Sequence, residues 1–347
     1  MKNSIIVLVL IFISFSCKKS EVGPQRLDGE PYNKEFVSKV IIGCEGNFGW
    51  GNASLSLYNT ENKSVTNNLY NIQNNLPMGD VLQSSTLFNG DLYVVVNNSN
   101  KVVVLDTANF LSKGTITGLT SPRYFLGISD TKAYVSDLNA DAITIVNPIT
   151  LQMTGTIAVS DWTEQMVLYN EEAYVTQKGN NQILVIDVNT NLITDSITVG
   201  KEPNSLVVDA FNNLWVLCSG GIDDLIPELV QINTSNHSVI NSLPFSSVFE
   251  SPNSLQIDTG GVNLFYLNNG LFKQPISATS IEETPFVSGG SSIYYGFGIN
   301  PYNNEIYLAD AIDYVQAGKV FRYDYSATLI DSFSVGIIPQ DFTFLEN

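Results

Sequence analysis

The sequence predicts an all-β protein made of a repeated, four-stranded antiparallel unit, on three observations. The first is the stretch Ala173 to Asn213, which reads as four short runs: Ala173–Thr176, Ile183–Asp187, Ile193–Thr198 and Ser205–Val208. Breaker clusters separate them, Gly-Asn-Asn at 179–181, Asn-Thr-Asn at 189–191 and Gly-Lys-Glu-Pro at 200–203. β-branched runs between such clusters are the pattern of hairpin meanders. The second observation is recurrence. An aromatic near the start of the unit recurs at Tyr93, Tyr134, Tyr174, Trp215, Phe265 and Tyr307, at spacings of 41, 40, 41, 50 and 42 residues. A period near forty with four strands per unit marks a propeller blade, which cannot cover both its faces alone. The third is the pair of leftovers. Val40, Ala53–Asn59 and Ser64–Tyr70 supply three strands with no innermost strand before them, and Asp341–Leu345 is a strand with no partners after it. Together they complete one sheet, so the expectation is a seven-bladed β-propeller closed by the C-terminal strand joining the N-terminal blade.

Taken in order, residues 1–16 read as a signal peptide, with Lys2, an eleven-residue apolar run Ile5–Phe15 and a small-residue stretch before Cys17. The run is too short to span a membrane as a stable helix. The placement of Cys17 resembles a bacterial lipoprotein signal, which implies acylation at Cys17; Ser14 stands where that pattern usually has Leu. Several acyl chains give stable anchoring where one does not. Residues 17–37 are then a lipidated, polar tether without periodicity, and 38–347 the propeller.

Composition excludes several functions. Loss of residues 1–16 removes only Lys2, leaving 15 basic against 34 acidic residues, a net charge of −19. Such a shell repels nucleic acid and anionic lipid, so no nucleic-acid partner is expected and membrane contact is through the anchor only. Cys44 and Cys218 fall on outward strands of blades far apart in the ring, too distant for a disulfide, and are expected to be free and buried. The one histidine, His237, sits in an outer turn and is expected to be solvated. A single histidine removes Ser-His-Asp triads and multi-His metal sites, so no catalytic residue, metal or cofactor is expected. The adjacent pairs Asp223-Asp224 and Glu282-Glu283 point apart in extended chain.

What remains is a binding surface. The loops that should share one face are rich in aromatics: Glu45-Gly-Asn-Phe-Gly-Trp-Gly-Asn-Ala53 with Phe48 and Trp50; Thr120–Phe125 with Arg123 and Tyr124; Ser160–Glu164 with Trp162 and Glu164; Gly289–Gly296 with Tyr294 and Tyr295; and Ala309–Gln316 with Asp313 and Tyr314. Large aromatics in loops call for a reason, and Tyr and Trp dominate binding hot spots. The positions opening the innermost strands read Met78, Arg123, Glu164, Asn204, Asn253, Tyr295 and Gln340. A ring of these around the channel would suit a large polar ligand.

Two resemblances bear on function. Tyr174-Val-Thr-Gln, Ile183-Leu-Val-Ile-Asp and Ile197-Thr-Val-Gly resemble the YVTN-type propeller repeat family, strongly over 173–213, fairly over 92–172 and weakly over 263–347. That implies the fold and leaves the activity open, since propellers host many. Glu45-Gly-Asn-Phe-Gly and Asn52-Ala-Ser-Leu-Ser resemble the opening motif of surface-exposed propeller lipoproteins of Gram-negative bacteria. The best-understood of these capture cobalamin for a TonB-dependent outer-membrane transporter. The resemblance implies a cell-surface, lipid-anchored outer-membrane protein that docks a corrinoid or similar metallophore and delivers it to such a transporter. Phe48, Trp50, Trp162, Tyr295 and Tyr314 would then give apolar contact. Arg123, Asn204, Asn253 and Gln340 would bond peripheral amides or phosphate. Two alternatives stay open: an adhesion propeller binding glycan or protein through the same aromatics, and a lactonase-like hydrolase using a divalent ion on Asp223, Asp224 or Asp313.

Overall fold

The computed structural model describes residues 39–221 and 225–345. They form seven four-stranded antiparallel sheets, blades 1 to 7, whose innermost strands are in turn Pro339–Leu345, Leu82–Phe88, Pro122–Ser129, Thr163–Tyr169, Pro203–Val208, Asn253–Ile257 and Tyr294–Ile299. The turns follow from side chains that bond their own backbone. Asp187 Oδ1 accepts from the amides of Asn189 and Thr190, each at 2.8 Å, and Asn191 closes the turn at φ 57°. Asp106, Asn147 and Asn233 do the same between the third and fourth strands of other blades.

The sequence repeat is out of phase with the sheets by one strand. Ser205–Val208 lies within Pro203–Val208, the innermost strand of the next blade, whose partners are Asn213–Cys218, Glu228–Asn233 and Val239–Pro244. The offset makes closure necessary. Pro339–Leu345 is the innermost strand of blade 1 and pairs with Lys39–Cys44, Ile41 facing Thr343 and Gly43 facing Asp341. The seam is tight on both sides. A Cβ on Gly296, in the innermost strand of blade 7, would lie 2.0 Å from the Gln340 carbonyl oxygen, so only glycine fits. Across the other side, Gln340 Nε2 donates to the Leu82 carbonyl of blade 2 at 2.6 Å.

Seven apolar clusters hold the ring, each shared by two neighbouring blades. The recurring aromatics are the wedges. Tyr93 stacks on Phe125 of blade 3 at 4.1 Å, Tyr134 donates to Asn191 of blade 4 at 2.6 Å, and Tyr307 meets Phe344 of blade 1 at 5.4 Å. At ~25 cal/mol per Å2 of apolar burial, interfaces of this kind stabilise the ring without disulfides.

Several expectations are corrected. Ser64–Tyr70 is not a full strand: pairing stops after Val65–Thr66, Asn68 turns the chain at φ 56°, and Leu69–Asn74 forms a short helix. Cys44 and Cys218 are free and buried as expected, but on second strands rather than outward ones. His237 is not simply solvated. Its Nδ1 lies 2.9 Å from Asp195 Oδ2 and its Nε2 3.2 Å from Glu172 Oε2, joining blade 5 to blade 4. The signal, tether and Cys17 lie outside the described residues, as do Asp223 and Asp224.

Deleting residues 338–347 is expected to strip the innermost strand from blade 1 and abolish cooperative unfolding, followed by circular dichroism during heating. An unchanged melting curve would contradict closure by this strand.

Candidate functional site

The loops joining second to third strands, and those leading into innermost strands, open on one face. The Glu45–Ala53 loop carries two exposed aromatic rings. Phe48 is 75% and Trp50 78% exposed, yet the loop is firmly tied. Asn47 N donates to Asn52 Oδ1 at 2.7 Å, Gly49 N to Asp80 Oδ2 at 2.8 Å, and Asn47 Nδ2 to the Tyr314 carbonyl at 2.5 Å. Gly46, at φ 76°, also leaves room for Asn52 and Ala53, which a Cβ would meet at 2.5 and 2.7 Å. The loop therefore presents two large rings to water from a fixed backbone. Tyr314, 40% exposed, extends this surface inward through an edge contact of 5.6 Å with Tyr295.

Tyr295 lies at the lip of a cavity of about 440 Å3 over the central channel. Arg123, Glu164, Asn204, Asn253 and Gln340 line it, as do Tyr124 and Tyr294. Met78 does not. It is buried in the core between blades 1 and 2, and Gln83 takes the corresponding place at the mouth. The difference between Met78 and Gln83 has a physical origin. Prolines open the innermost strands of blades 3, 5 and 1, but blade 2 starts at Leu82 without one, and Pro77 belongs to the preceding loop.

The charges at the mouth are paired with one another. Arg123 Nε donates to both Glu164 oxygens at 3.1 and 3.0 Å, and Nη1 donates to Gln83 Oε1 at 2.5 Å. Lys178 pairs with Glu202 at 3.4 Å and covers the Trp162 ring at 4.4 Å. Arg123 stands 5.8 Å from the same ring. Trp162 is thus approached by two cations rather than facing water freely, and its buried indole nitrogen has no hydrogen-bond partner. Asn204 Nδ2 and Asn253 Nδ2 donate to the Pro252 and Ser251 carbonyls at 3.1 and 3.4 Å. Asp313 is engaged in its own turn by Gln316 and Val315; the Gln316 side chain above all holds its carboxyl below the usual range. Among the described residues, no group of three or more His, Cys, Asp or Glu is placed to hold a metal ion.

Two carboxyls were not singled out by sequence. Burial raises the Glu45 carboxyl, against the opposing pull of the Tyr295 hydroxyl and Arg123. Burial also pushes Asp341 up to about 7, although Ser85 Oγ donates to it. Asp341 lines the channel cavity beside Tyr124. Only strand pairing reveals that a residue read as part of a closing strand points its carboxyl into the channel.

These features define a seven-bladed β-propeller with a polar channel mouth and an aromatic rim on its loop face. The chain belongs to the family described as Domain of unknown function (DUF5074), which matches residues 40–336. Family and architecture together fit a YVTN-type propeller. No curated protein matches the chain in sequence. Among solved structures, a quinoprotein alcohol dehydrogenase-like protein from Bacteroides thetaiotaomicron superposes with TM-score 0.68 at 14% identity, covering 88% of this chain and 78% of that one. A protein from Lactobacillus plantarum gives 0.67 at 14%, covering 89% and 100%. A protein named for 6-phosphogluconolactonase from Bacteroides fragilis gives 0.65 at 13%, covering 91% and 100%. At these identities the likeness concerns the fold.

The Asp341 carboxyl has a folded-state pKa above its unfolded one. Its contribution to stability is therefore present below about pH 4 and lost as pH rises to about 7, at up to about 1.4 kcal/mol per pH unit. Asp341→Asn should match the parent in stability at pH 4 and exceed it at pH 8, read as the midpoint of urea unfolding at each pH. Parallel curves for the two proteins would show that burial does not raise this carboxyl.

Proposed function

We propose that this chain is a non-catalytic surface lipoprotein that captures a large ligand on its loop face. The observation carrying this reading is the Phe48–Trp50 loop, whose hydrogen bonds hold two rings in water beside a polar cavity. Rigid aromatics lose little entropy on contact and so favour binding. The titratable groups that reach the mouth are bonded to neighbours, an arrangement suited to holding a ligand rather than transforming it.

The surface supports a ligand class. An apolar body would lie on Phe48, Trp50, Tyr314 and Tyr295, while neutral arms reach Asn253, Gln83 and Asn204. With Arg123 already paired to Glu164, amides fit the mouth better than a phosphate does. A corrinoid or similar metallophore, with peripheral amides around a flat ring system, meets this description. In this reading an acyl anchor at Cys17 holds the chain at the outer membrane, where the ligand passes to a TonB-dependent transporter.

Calorimetric titration of the chain from residue 18 with cobalamin and cobinamide tests the reading. Saturable binding is expected, weakened at least about tenfold by Trp50→Ala combined with Phe48→Ala, since buried aromatics at such sites contribute ~2 kcal/mol or more. Both side chains are exposed, so the fold should be unaffected. Absence of heat at micromolar protein would remove the corrinoid reading and favour the adhesion alternative. Binding indifferent to the double substitution would mean that another surface holds the ligand.

A further inference from the structure

The seam between blades 4 and 5 is built from different chemistry than the seam before it. In blades 3, 4 and 5 the turn from third to fourth strand ends on a left-handed residue, Leu151, Asn191 and His237, each at φ 57°. Each amide donates to the carbonyl four residues earlier at 2.8 Å, so the three positions are equivalent. Between blades 3 and 4, Tyr134 and Lys132 donate to Asn191 Oδ1 at 2.6 and 3.2 Å, a neutral acceptor. At the next seam the matching residues are Tyr174, Glu172 and His237, the one histidine of the chain.

The His237 ring lies between two carboxylates of blade 4. Its Nδ1 is 2.9 Å from Asp195 Oδ2 and its Nε2 3.2 Å from Glu172 Oε2. The Tyr174 hydroxyl is 2.7 Å from the same Glu172 oxygen, 3.3 Å from the Thr234 carbonyl and 3.4 Å from Nε2. The Tyr174 ring meets the imidazole edge-on at 6.0 Å. The charged and titratable groups meeting His237 are thus Asp195, Glu172 and Tyr174 of blade 4, and its own turn, Asn233–Ser238, adds none. Burial, reinforced by Glu172, pushes the Tyr174 hydroxyl up, so it keeps its hydrogen. The Ser196 amide first and His237 second hold the Asp195 carboxyl below the usual range, so it stays ionised.

Counting hydrogens shows which form of the ring fits. A neutral imidazole carries one N–H. With that hydrogen on Nδ1, the Nε2 lone pair faces Glu172, and the one Tyr174 hydrogen must serve three acceptors. With it on Nε2, a lone pair faces Asp195. Only the imidazolium donates to both carboxylates and leaves the Tyr174 hydrogen free for Glu172 or Thr234.

We propose that His237 is a proton-operated clasp between blades 4 and 5, fastening both blade 4 carboxylates when protonated and releasing one of them when neutral. The clasp is on the face opposite the channel mouth, where the turns between third and fourth strands lie. On the mouth face the same seam is held by Lys178 and Glu202 at 3.4 Å, and in the channel by Gln165 Oε1, which accepts from the Leu206 amide at 2.9 Å. Lysine–glutamate and amide contacts keep their charge through neutral pH, whereas imidazole ordinarily changes charge between about pH 5 and 8. Acid therefore tightens the far rim of this seam and leaves its mouth side unchanged. The contribution is present while His237 is protonated and is lost as rising pH removes the proton. At the acid end it is lost again once the carboxylates are neutralised.

The test is an NMR titration of the imidazole in the full chain carrying no added histidine, so that one residue gives one curve. Glu172→Gln and Asp195→Asn are each expected to lower the midpoint, by at least about threefold in proton affinity, because each removes an opposite charge beside the ring. A double-mutant cycle of His237→Gln with Glu172→Gln, read as the midpoint of urea unfolding, is expected to show coupling at about pH 5.5 and to lose it at about pH 8.5. His237→Gln places a neutral amide where blade 4 has Asn191, so the ring of blades should still form. If Glu172→Gln does not fold, Asp195→Asn, at a half-exposed position, replaces it in both measurements. An imidazole midpoint indifferent to the carboxylate substitutions, or coupling of equal size at both pH values, would overturn the proposal.

Discussion

Each sheet of this protein is apolar on both faces, and that constraint governs the rest. A strand such as Gln182–Asp187, buried along Ile183–Ile186, has no solvent side. It needs a neighbouring sheet on the left and another on the right. An open row of such sheets leaves two uncovered faces at its ends, so the row must close. Closure between chain ends far apart in sequence falls to Pro339–Leu345 against Lys39–Cys44, and to the two seams on either side. The aromatics of the second strands fill the wedge-shaped gaps that radial packing creates, and their hydroxyls reach the turns of the next blade.

Closure also makes the site. Innermost strands from seven blades meet at one axis, so their first residues become neighbours although they are spread over most of the chain. Convergence brings opposite charges together. Arg123 and Glu164 come from adjacent blades and neutralise each other, with Gln83 of a third blade completing the contact. Breaking such a pair by removing one partner leaves a charge poorly solvated, which is why these positions act together. The rim behaves differently. Phe48 and Trp50 are held out by backbone and amide bonds within their own loop, supported by Asp80 and Tyr314 from its surroundings.

Much of the fold was legible because its signals are local. The Asx turns, the period near forty and the unpaired strands at either end are all written in short stretches. Gly-rich spacing likewise marked the Phe48–Trp50 loop. The limits were also physical. A proline precedes Met78 as it does several mouth residues, but strand register places Gln83 at the mouth and buries Met78. His237 looked like a solvated turn residue because its carboxylate neighbours, Glu172 and Asp195, come from the preceding blade.

By itself, then, the order of residues determined the strands, their turns, the number of blades and the need for a closing strand. Each of these depends on hydrophobic periodicity and backbone preference over a few residues. The tertiary structure alone decided which side chains meet: that Arg123 is matched by Glu164, that Asp341 meets Ser85, and that Lys178 and Arg123 both stand over Trp162. Those outcomes depend on distances between separate blades, and radial packing sets such distances only after the ring has shut.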